Sequence, residues 1–227
     1  METETSIECL GFIMDGNRRW AKKNGVETIK GHEIGFEKFK EVVEWSGKLN
    51  IKNVVFYAFS SENWNRDVGE VSGLMKLFLS AGQQLHEAIK NDIRLRVIGD
   101  RSKFSPEIQT LITQLETKTK DNKKGTVTIA LSYGGRAEIL AAANEAIKSG
   151  KELKTEEDFE KFLWTKSLPD PDIIIRTGDA IRLSNFLPWQ SVYSEFYFTK
   201  TLWPDFSKEE FEQVLTDFKN RQRRHGK

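Results

Sequence analysis

Short apolar runs alternate with stretches of helical spacing along nearly the whole of this 227-residue chain. No other property limits the possible folds as much. A brief apolar run that stops at a polar turn suits a strand buried on both faces, and strands separated by helices can pair in parallel. The runs Cys9 to Met14, Asn53 to Phe59, Ile93 to Ile98, Thr126 to Ser132, Asp172 to Ile175 and Glu195 to Thr199 read as strands. Arg18 to Asn24, a segment from Gly31 to about Leu49, Glu70 to Lys90, Pro106 to Thr119, Ala137 to Lys148, Thr155 to Thr165 and Ser207 to Arg221 read as helices. The pattern predicts an α/β fold, a single domain over residues 1–227 with a mainly parallel central sheet of about six strands and helices on both faces. Residues 1–8 and 221–227 are expected to be flexible tails. No repeat, low-complexity stretch or linker divides the chain.

In open parallel sheets, ligands bind beyond the carboxyl ends of the strands. Polar clusters stand at four of those predicted ends: Asp15-Gly-Asn, Ser60-Ser-Glu-Asn, Tyr133-Gly-Gly-Arg and Arg176-Thr-Gly. A parallel sheet would bring all four to one edge. Gly16 permits a tight turn, and Asp15 and Asn17 both suit a helix N-cap. A strand, a turn and a helix N-terminus suit a phosphate, Arg19 adds charge, and Asp15 adds a hard oxygen for Mg²⁺. An ordinary βα turn with an N-cap would look the same. Arg176, Arg182 and Ser184 offer two guanidiniums and a hydroxyl, which suit an oxyanion with several oxygens, such as a diphosphate. A surface salt-bridge cluster is the plainer alternative.

Charge removes other classes. Lys plus Arg number 35 against 34 Asp plus Glu, a net charge of +1, so no nucleic-acid partner is indicated. The single cysteine, Cys9, lies in the first predicted strand and reads as core. His32, His86 and His225 are scattered and make no zinc site. The N-terminus lacks the basic-then-apolar pattern of a signal peptide, and no apolar run reaches membrane-spanning length. A reducing cytoplasm is the expected compartment. The Gly-x-x-x-x-Gly-Lys-Ser/Thr, Gly-x-Ser-x-Gly and Asp-Asp-x-x-Asp patterns are absent, which argues against nucleotide kinases, α/β hydrolases and trans-type prenyl synthases. From the residues alone, a two-site diphosphate enzyme fits, and so does a phosphatase that uses Asp15 as nucleophile.

At Met-Asp-Gly-Asn-Arg-Arg-Trp-Ala-Lys (14–22) the sequence resembles the undecaprenyl diphosphate synthases, which are cis-prenyltransferases. The likeness continues through Gly-His (31–32), Tyr-Ala-Phe-Ser-Ser-Glu-Asn-Trp-Asn-Arg (57–66), Arg-Leu-Arg-Val-Ile-Gly-Asp (94–100) and Tyr-Gly-Gly-Arg (133–136). It closes with Asp-Ile-Ile-Ile-Arg-Thr-Gly (172–178), Arg-Leu-Ser-Asn-Phe-Leu-Pro-Trp-Gln (182–190) and Leu-Trp-Pro-Asp-Phe (202–206). The pieces stand in the family's order and cover about residues 9–226.

The resemblance implies that an allylic diphosphate, typically farnesyl diphosphate, is elongated by isopentenyl diphosphate with cis double bonds. The product would be a long polyprenyl diphosphate, undecaprenyl in length, the lipid-carrier precursor for cell-wall synthesis. It implies Mg²⁺ held by Asp15, with Glu195 as a second metal-linked carboxylate. Gly16, Asn17, Arg19 and His32 would cradle the allylic diphosphate, with Trp20 in the same substrate-binding stretch and Asn17 assisting proton loss. Arg176, Arg182 and Ser184 would hold isopentenyl diphosphate. Ser60, Asn63 and Arg66 would order the loop between the sites, and Trp64 would help close it. Arg224-His225-Gly226 is similar to the family's C-terminal Arg-x-Gly, which reaches the active site across a homodimer interface. Transient membrane contact for product release, and so a peripheral membrane location, is also implied.

Departures from the family pattern are Arg18 where many members have Gly, Thr28 where many have Arg, Ile181 where some have a metal-binding His, and Asp179-Ala180 in place of Gly-Glu. Arg18 or Lys30 would then supply the missing charge. The rival reading within this resemblance is a non-catalytic subunit of a heteromeric prenyltransferase.

Overall fold

The computed structural model describes residues 7–88 and 92–221, with the backbone alone for 84–88. Its centre is a six-stranded sheet in the order β3-β4-β2-β1-β5-β6, and every adjacent pair is parallel. The strands are β1 (Cys9–Ile13), β2 (Asn53–Ser60), β3 (Ile93–Ile98), β4 (Gly125–Tyr133), β5 (Ile173–Arg176) and β6 (Glu195–Phe198). The helices are α1 (Asn17–Lys23), α2 (Thr28–Lys48), α3 (Val68–Ala88), α4 (Pro106–Thr119), α5 (Gly135–Ser149), α6 (Glu156–Glu160) and α7 (Lys208–Asn220).

The expected α/β architecture with a parallel sheet is therefore present. Its short apolar runs became strands because β1 and β5 are buried along their whole length. Alternate β1 residues serve opposite faces. Leu10 and Phe12 join Phe56, Trp203, Phe206 and Phe211 in one core, while Cys9 and Ile13 join Tyr57, Ile174 and Phe186 in another. A third cluster, with Phe59, Leu74, Phe104 and Ile112, lies under α3 and α4.

Some boundaries differ from expectation. The stretch read as a helix from Thr155 to Thr165 is helical only over Glu156–Glu160 and then breaks into turns, with Leu163 N–H donating to Glu160 O. Ser167 follows with a positive φ of 67°. The strand expected at Asp172 starts at Ile173 instead, because the Asp172 carboxylate accepts from the backbone N–H groups of Glu8 and Cys9. The long helix starts two residues early, at Val68, where Asp67 Oδ1 accepts from Gly69 N–H. Its predicted end at Lys90, and the apolar Leu85 and Ile89 with His86, fall outside the described side chains.

Two features position the site. The chain leaves β1 toward β2 on one side and reaches β5 and β6 on the other, so the strand order reverses at the β1–β5 boundary. Crevices in doubly wound sheets open at that kind of boundary. The second feature is a bulge. β2 pairs with β4 as Tyr57↔Ala130, then Phe59↔Leu131, then Ser60↔Tyr133. Ala58 is thus an extra residue on β2 and Ser132, at φ 49°, an extra one on β4. Bulges re-aim the side chains that follow them.

Candidate active site

Asp15 stands at the carboxyl end of β1, on the reversal boundary. Each of its carboxylate oxygens meets a different arginine: Oδ1 lies 3.1 Å from Arg19 Nη2, and Oδ2 accepts from Arg176 Nη2 at 2.9 Å. Its backbone oxygen accepts from Thr177 Oγ1 and Trp203 N–H. The Asp15 side chain is therefore fixed before any ligand arrives. Gly16 follows with φ 121°, and a Cβ there would stand 2.9 Å from Leu202 Cα. It is Gly16 that caps α1, with no side-chain cap bond, so the expected Asp15 or Asn17 cap does not form. Gly178, at φ 86°, leaves the space that Arg19's guanidinium fills.

Arg176 differs from what its sequence context suggests. Only 4% of its side chain is exposed. Nη1 donates to Arg182 O at 2.7 Å and to Ser184 Oγ at 2.8 Å, while Nη2 goes to Asp15. Its fork ties the end of β1 to the loop after β5, and that loop exposes Arg182 and Ser184.

Ser60 closes β2 and caps a 3₁₀ turn over Ser61–Asn65, with Asn63 Oδ1 accepting from Ser60 N–H at 3.0 Å. Arg66 ends the turn, and its Nη1 donates to Glu70 Oε1 at 2.9 Å. Arg18 Nε lies 3.7 Å from the same oxygen, and His32 Nε2 lies 4.0 Å from it. Glu70 thus gathers two arginines, Arg18 of α1 and Arg66 at the end of the 3₁₀ turn, beside the His32 imidazole of α2, a role the sequence did not suggest. The one local signal was the i,i+4 spacing of Arg66 and Glu70. Burial, with Arg66 and Arg18 adding to it, pushes the His32 imidazole down to about 4, so it is neutral at pH 7.

Three cavities meet here. An open pocket of about 680 Å³ is lined by Asp15, Gly16, Arg18, Arg19, His32 and Arg66, among others. A second, of about 580 Å³, runs from Asp15 past Ser60, Asn63 and Arg66 to Arg176, Arg182 and Ser184. The third, of about 130 Å³, is apolar and lies between the sheet, α2, α3 and α4, with Ala58, Phe78, Gly82 and Leu111 in its walls. Met14, Asn17 and His32 line all three. A molecule with an anionic head and an apolar tail could cross from one to the other without leaving the protein.

The fourth strand-end cluster supports the site from outside it. Arg136 N–H donates to Asn185 Oδ1, and Gly135 N–H to Asn185 O. Other sequence-derived candidates are placed elsewhere. Trp20 Nε1 donates to Asp205 and serves the α1 contact rather than a pocket. Trp64 Nε1 donates to Ser132 Oγ, and its ring packs on Phe59 and Phe104, so it is anchored in the wall rather than held as a lid. Glu195 starts β6, level with Ile173 at the amino edge of the sheet, and pairs with Arg221 at 2.8 Å. Within this chain it does not approach Asp15. Arg224 and Gly226 lie outside the described residues.

The family model for undecaprenyl diphosphate synthases, a prenyltransferase model, matches residues 13–226. The chain belongs to this family. An isoprenyl transferase of Fusobacterium nucleatum is 46% identical over 218 residues, covering 96% of this chain and 94% of that one. One from Thermus thermophilus is 43% identical over 231 residues, covering 96% and 88%. Among solved structures, lavandulyl diphosphate synthase from Lavandula x intermedia, in complex with dimethylallyl diphosphate, superposes with a TM-score of 0.94 at 33% identity over 99% of this chain and 100% of that one. A probable undecaprenyl diphosphate synthase from Campylobacter jejuni superposes at 0.84, with 36% identity over 98% and 100%. Membership makes this chain a prenyltransferase of isoprenoid diphosphates, in a family that generally requires a divalent metal. No helix among the described residues is long and apolar enough to cross a membrane.

Proposed function

We propose that this prenyltransferase condenses isopentenyl diphosphate with farnesyl diphosphate in cis, repeatedly, to give undecaprenyl diphosphate. The observation that carries this reading is the junction at Met14, Asn17 and His32, where the cationic pocket opens into the apolar cavity. The allylic diphosphate occupies the pocket of Gly16, Arg18, Arg19 and His32, and its chain enters the cavity past Ala58. Isopentenyl diphosphate occupies the pocket of Arg182 and Ser184, held in register by Arg176.

Mg²⁺ fits this donor set. Asp15 is the carboxylate that lines both anion pockets, with Glu62 on the second alone, and Mg²⁺ is typically held by one or two carboxylates together with substrate phosphates. No group of three His, Cys, Asp or Glu side chains among the described residues forms a protein-only cage. When bound, the metal neutralises the departing diphosphate. The remaining tasks fall to the chain. Arg19 and Arg18 compensate the charge that grows on the leaving diphosphate as the allylic C–O bond breaks. Neutral His32 contributes a hydrogen bond. Asn17 has no basic group, so it assists proton loss by orienting a phosphate oxygen that takes the proton. Ser60, Asn63 and Arg66 align the two substrates, and alignment supplies much of the rate in a reaction of this kind.

A homodimer, with transient membrane contact as product leaves, is part of the same proposal. The edge strand β6 supports the dimer: Phe196 on it, and Ile181, Val192 and Tyr193 beside it, are exposed.

The test is incubation of the protein with farnesyl diphosphate, labelled isopentenyl diphosphate and Mg²⁺, with and without EDTA, followed by sizing of the lipids. A metal-dependent ladder ending near eleven units is expected. Phosphate release without elongation would sink the reading.

Arg18 carries a separate expectation. It is the charge that stands in for the Arg missing at Thr28, so Arg18→Gly should raise KM for farnesyl diphosphate at least about tenfold, as loss of one charge-assisted contact would. An unchanged KM removes that assignment. His32 carries a pH expectation. Its folded value of about 4 lies below its ordinary 6.5. Between those values the unfolded chain binds a proton that the folded chain does not, so stability falls as pH falls through that window. Urea midpoints at about pH 4.5 and about pH 7 should differ less in His32→Gln than in the wild type.

A further inference from the structure

The loop that carries Arg182 and Ser184 is held in an unfavourable backbone form. Ser184, Asn185 and Leu187 have φ values of 51°, 67° and 48°, and none is glycine. Such conformations persist only where surrounding contacts over-determine them. Part of that restraint comes from Arg176, already described. Another part comes from Tyr57, a buried residue of β2 immediately before the Ala58 bulge.

The Tyr57 ring stacks on Phe186, with centroids 4.8 Å apart and planes inclined by 17°. Its hydroxyl lies 3.2 Å from Ser184 O and 3.1 Å from Tyr133 O, and its single proton is shared between them. Tyr57 lies three residues before Ser60 on the same strand, so its hydroxyl ties the end of β2 directly to the Ser184 loop. A second, separate tie joins the turn after β2 to the same loop: Asn185 Nδ2 donates to Glu62 Oε1 at 3.1 Å.

We propose that Tyr57 is a positioning residue that fixes the Arg182–Ser184 anion subsite relative to the Ser60–Arg66 loop. This rests on the reading of that subsite as the isopentenyl diphosphate site. Tyr57 itself touches neither the reacting carbons nor the diphosphate. Its hydroxyl sets where Ser184 stands, and its ring sets where the backbone turns.

Tyr57→Phe keeps the ring and removes only the hydroxyl, so the test is a comparison of both KM values. KM for isopentenyl diphosphate should rise about fivefold to tenfold, with KM for farnesyl diphosphate and kcat each within about twofold. Tyr133→Phe is the control. It deletes a hydroxyl that is also buried, bonded to Glu138 Oε2 at 2.6 Å, away from both anion subsites. It should lower the melting temperature and leave the ratio of the two KM values unchanged. An unselective rise in both KM values for Tyr57→Phe would overturn the proposal. So would no rise, or the same selective rise in Tyr133→Phe.

Calorimetric titration of each full-length protein with isopentenyl diphosphate separates this proposal from the reaction. Wild-type binding that weakens in Tyr57→Phe supports the proposal even if no lipid is made, which would count against the reaction alone. Absence of wild-type binding overturns both.

Discussion

Asp15→Asn is expected to lower kcat by about three orders of magnitude, with the protein still folded at 25 °C. The rate loss follows from position. Asp15 is the carboxylate at the strand-order reversal, shared by both anion pockets, and the one our reading gives to Mg²⁺. Asp15 acts through the metal it would hold, and losing a cation that meets charge developing on a leaving group costs about a thousandfold at well-studied sites. The stability effect is smaller and separable. Arg176 is buried and loses its counter-charge, but it keeps Arg182 O and Ser184 Oγ, and the asparagine oxygen can still accept from it. A loss of about 1–3 kcal/mol is expected for such a weakened buried contact. A stability of about 5–15 kcal/mol, typical of a domain, leaves nearly all molecules folded after that loss. Single-turnover rates and urea midpoints measured on the same preparation decide the matter. Activity within tenfold of wild type would remove Asp15 from the metal site.

Ala58→Leu is expected to shorten the product by several isoprene units while leaving the first condensation within a few-fold of wild type. Ala58 lines both the second anion pocket and the apolar cavity, so on our reading a growing chain passes it. Leucine places three more carbons in a cavity of about 130 Å³. A dry cavity of about 150 Å³ holds one benzene, so this one is far smaller than an eleven-unit chain. Elongation therefore has to part α3 from α4, which meet where a Cβ on Gly82 would stand 3.1 Å from Leu111 Cγ. A larger side chain at the entrance hinders that parting early. Reverse-phase separation of the dephosphorylated lipids reads the outcome directly. An unchanged ladder would place the chain elsewhere.

The sheet was legible because its strands are buried on both faces, and such strands must be continuous apolar runs. The convergence of polar clusters on one edge followed from parallel pairing alone. Asp15, Arg19, Arg176 and Ser184 were legible as residue types, but their mutual contacts were not. Arg176 reads in sequence as a guanidinium for an oxyanion, and only the fold shows its fork turned inward between Asp15 and Ser184. Glu70 was missed because its partners come from three separate segments. The substrate roles of Trp20 and Trp64 come from the resemblance, and no local pattern shows which way an indole points. In the fold, both indole N–H groups are bonded within the protein. Glu195 was read from its place in a motif, whereas its register sets it at the far edge of the sheet, a property of pairing that no local pattern carries.

The bulge at Ala58 has a consequence for chain length. In a regular strand the side chains strictly alternate, so Tyr57 and Phe59 would share one face. One extra residue on β2 changes odd to even. Tyr57 then belongs to the core beside Phe186, and Phe59 to the core beneath α3. The second extra residue, Ser132, makes the same correction on β4, so the two strands end level at Ser60 and Tyr133. The site is therefore counted out in residues as well as built from them. Here a one-residue insertion or deletion is a larger change than most substitutions, since it would exchange the faces of Phe59 and Ser60 relative to Tyr57.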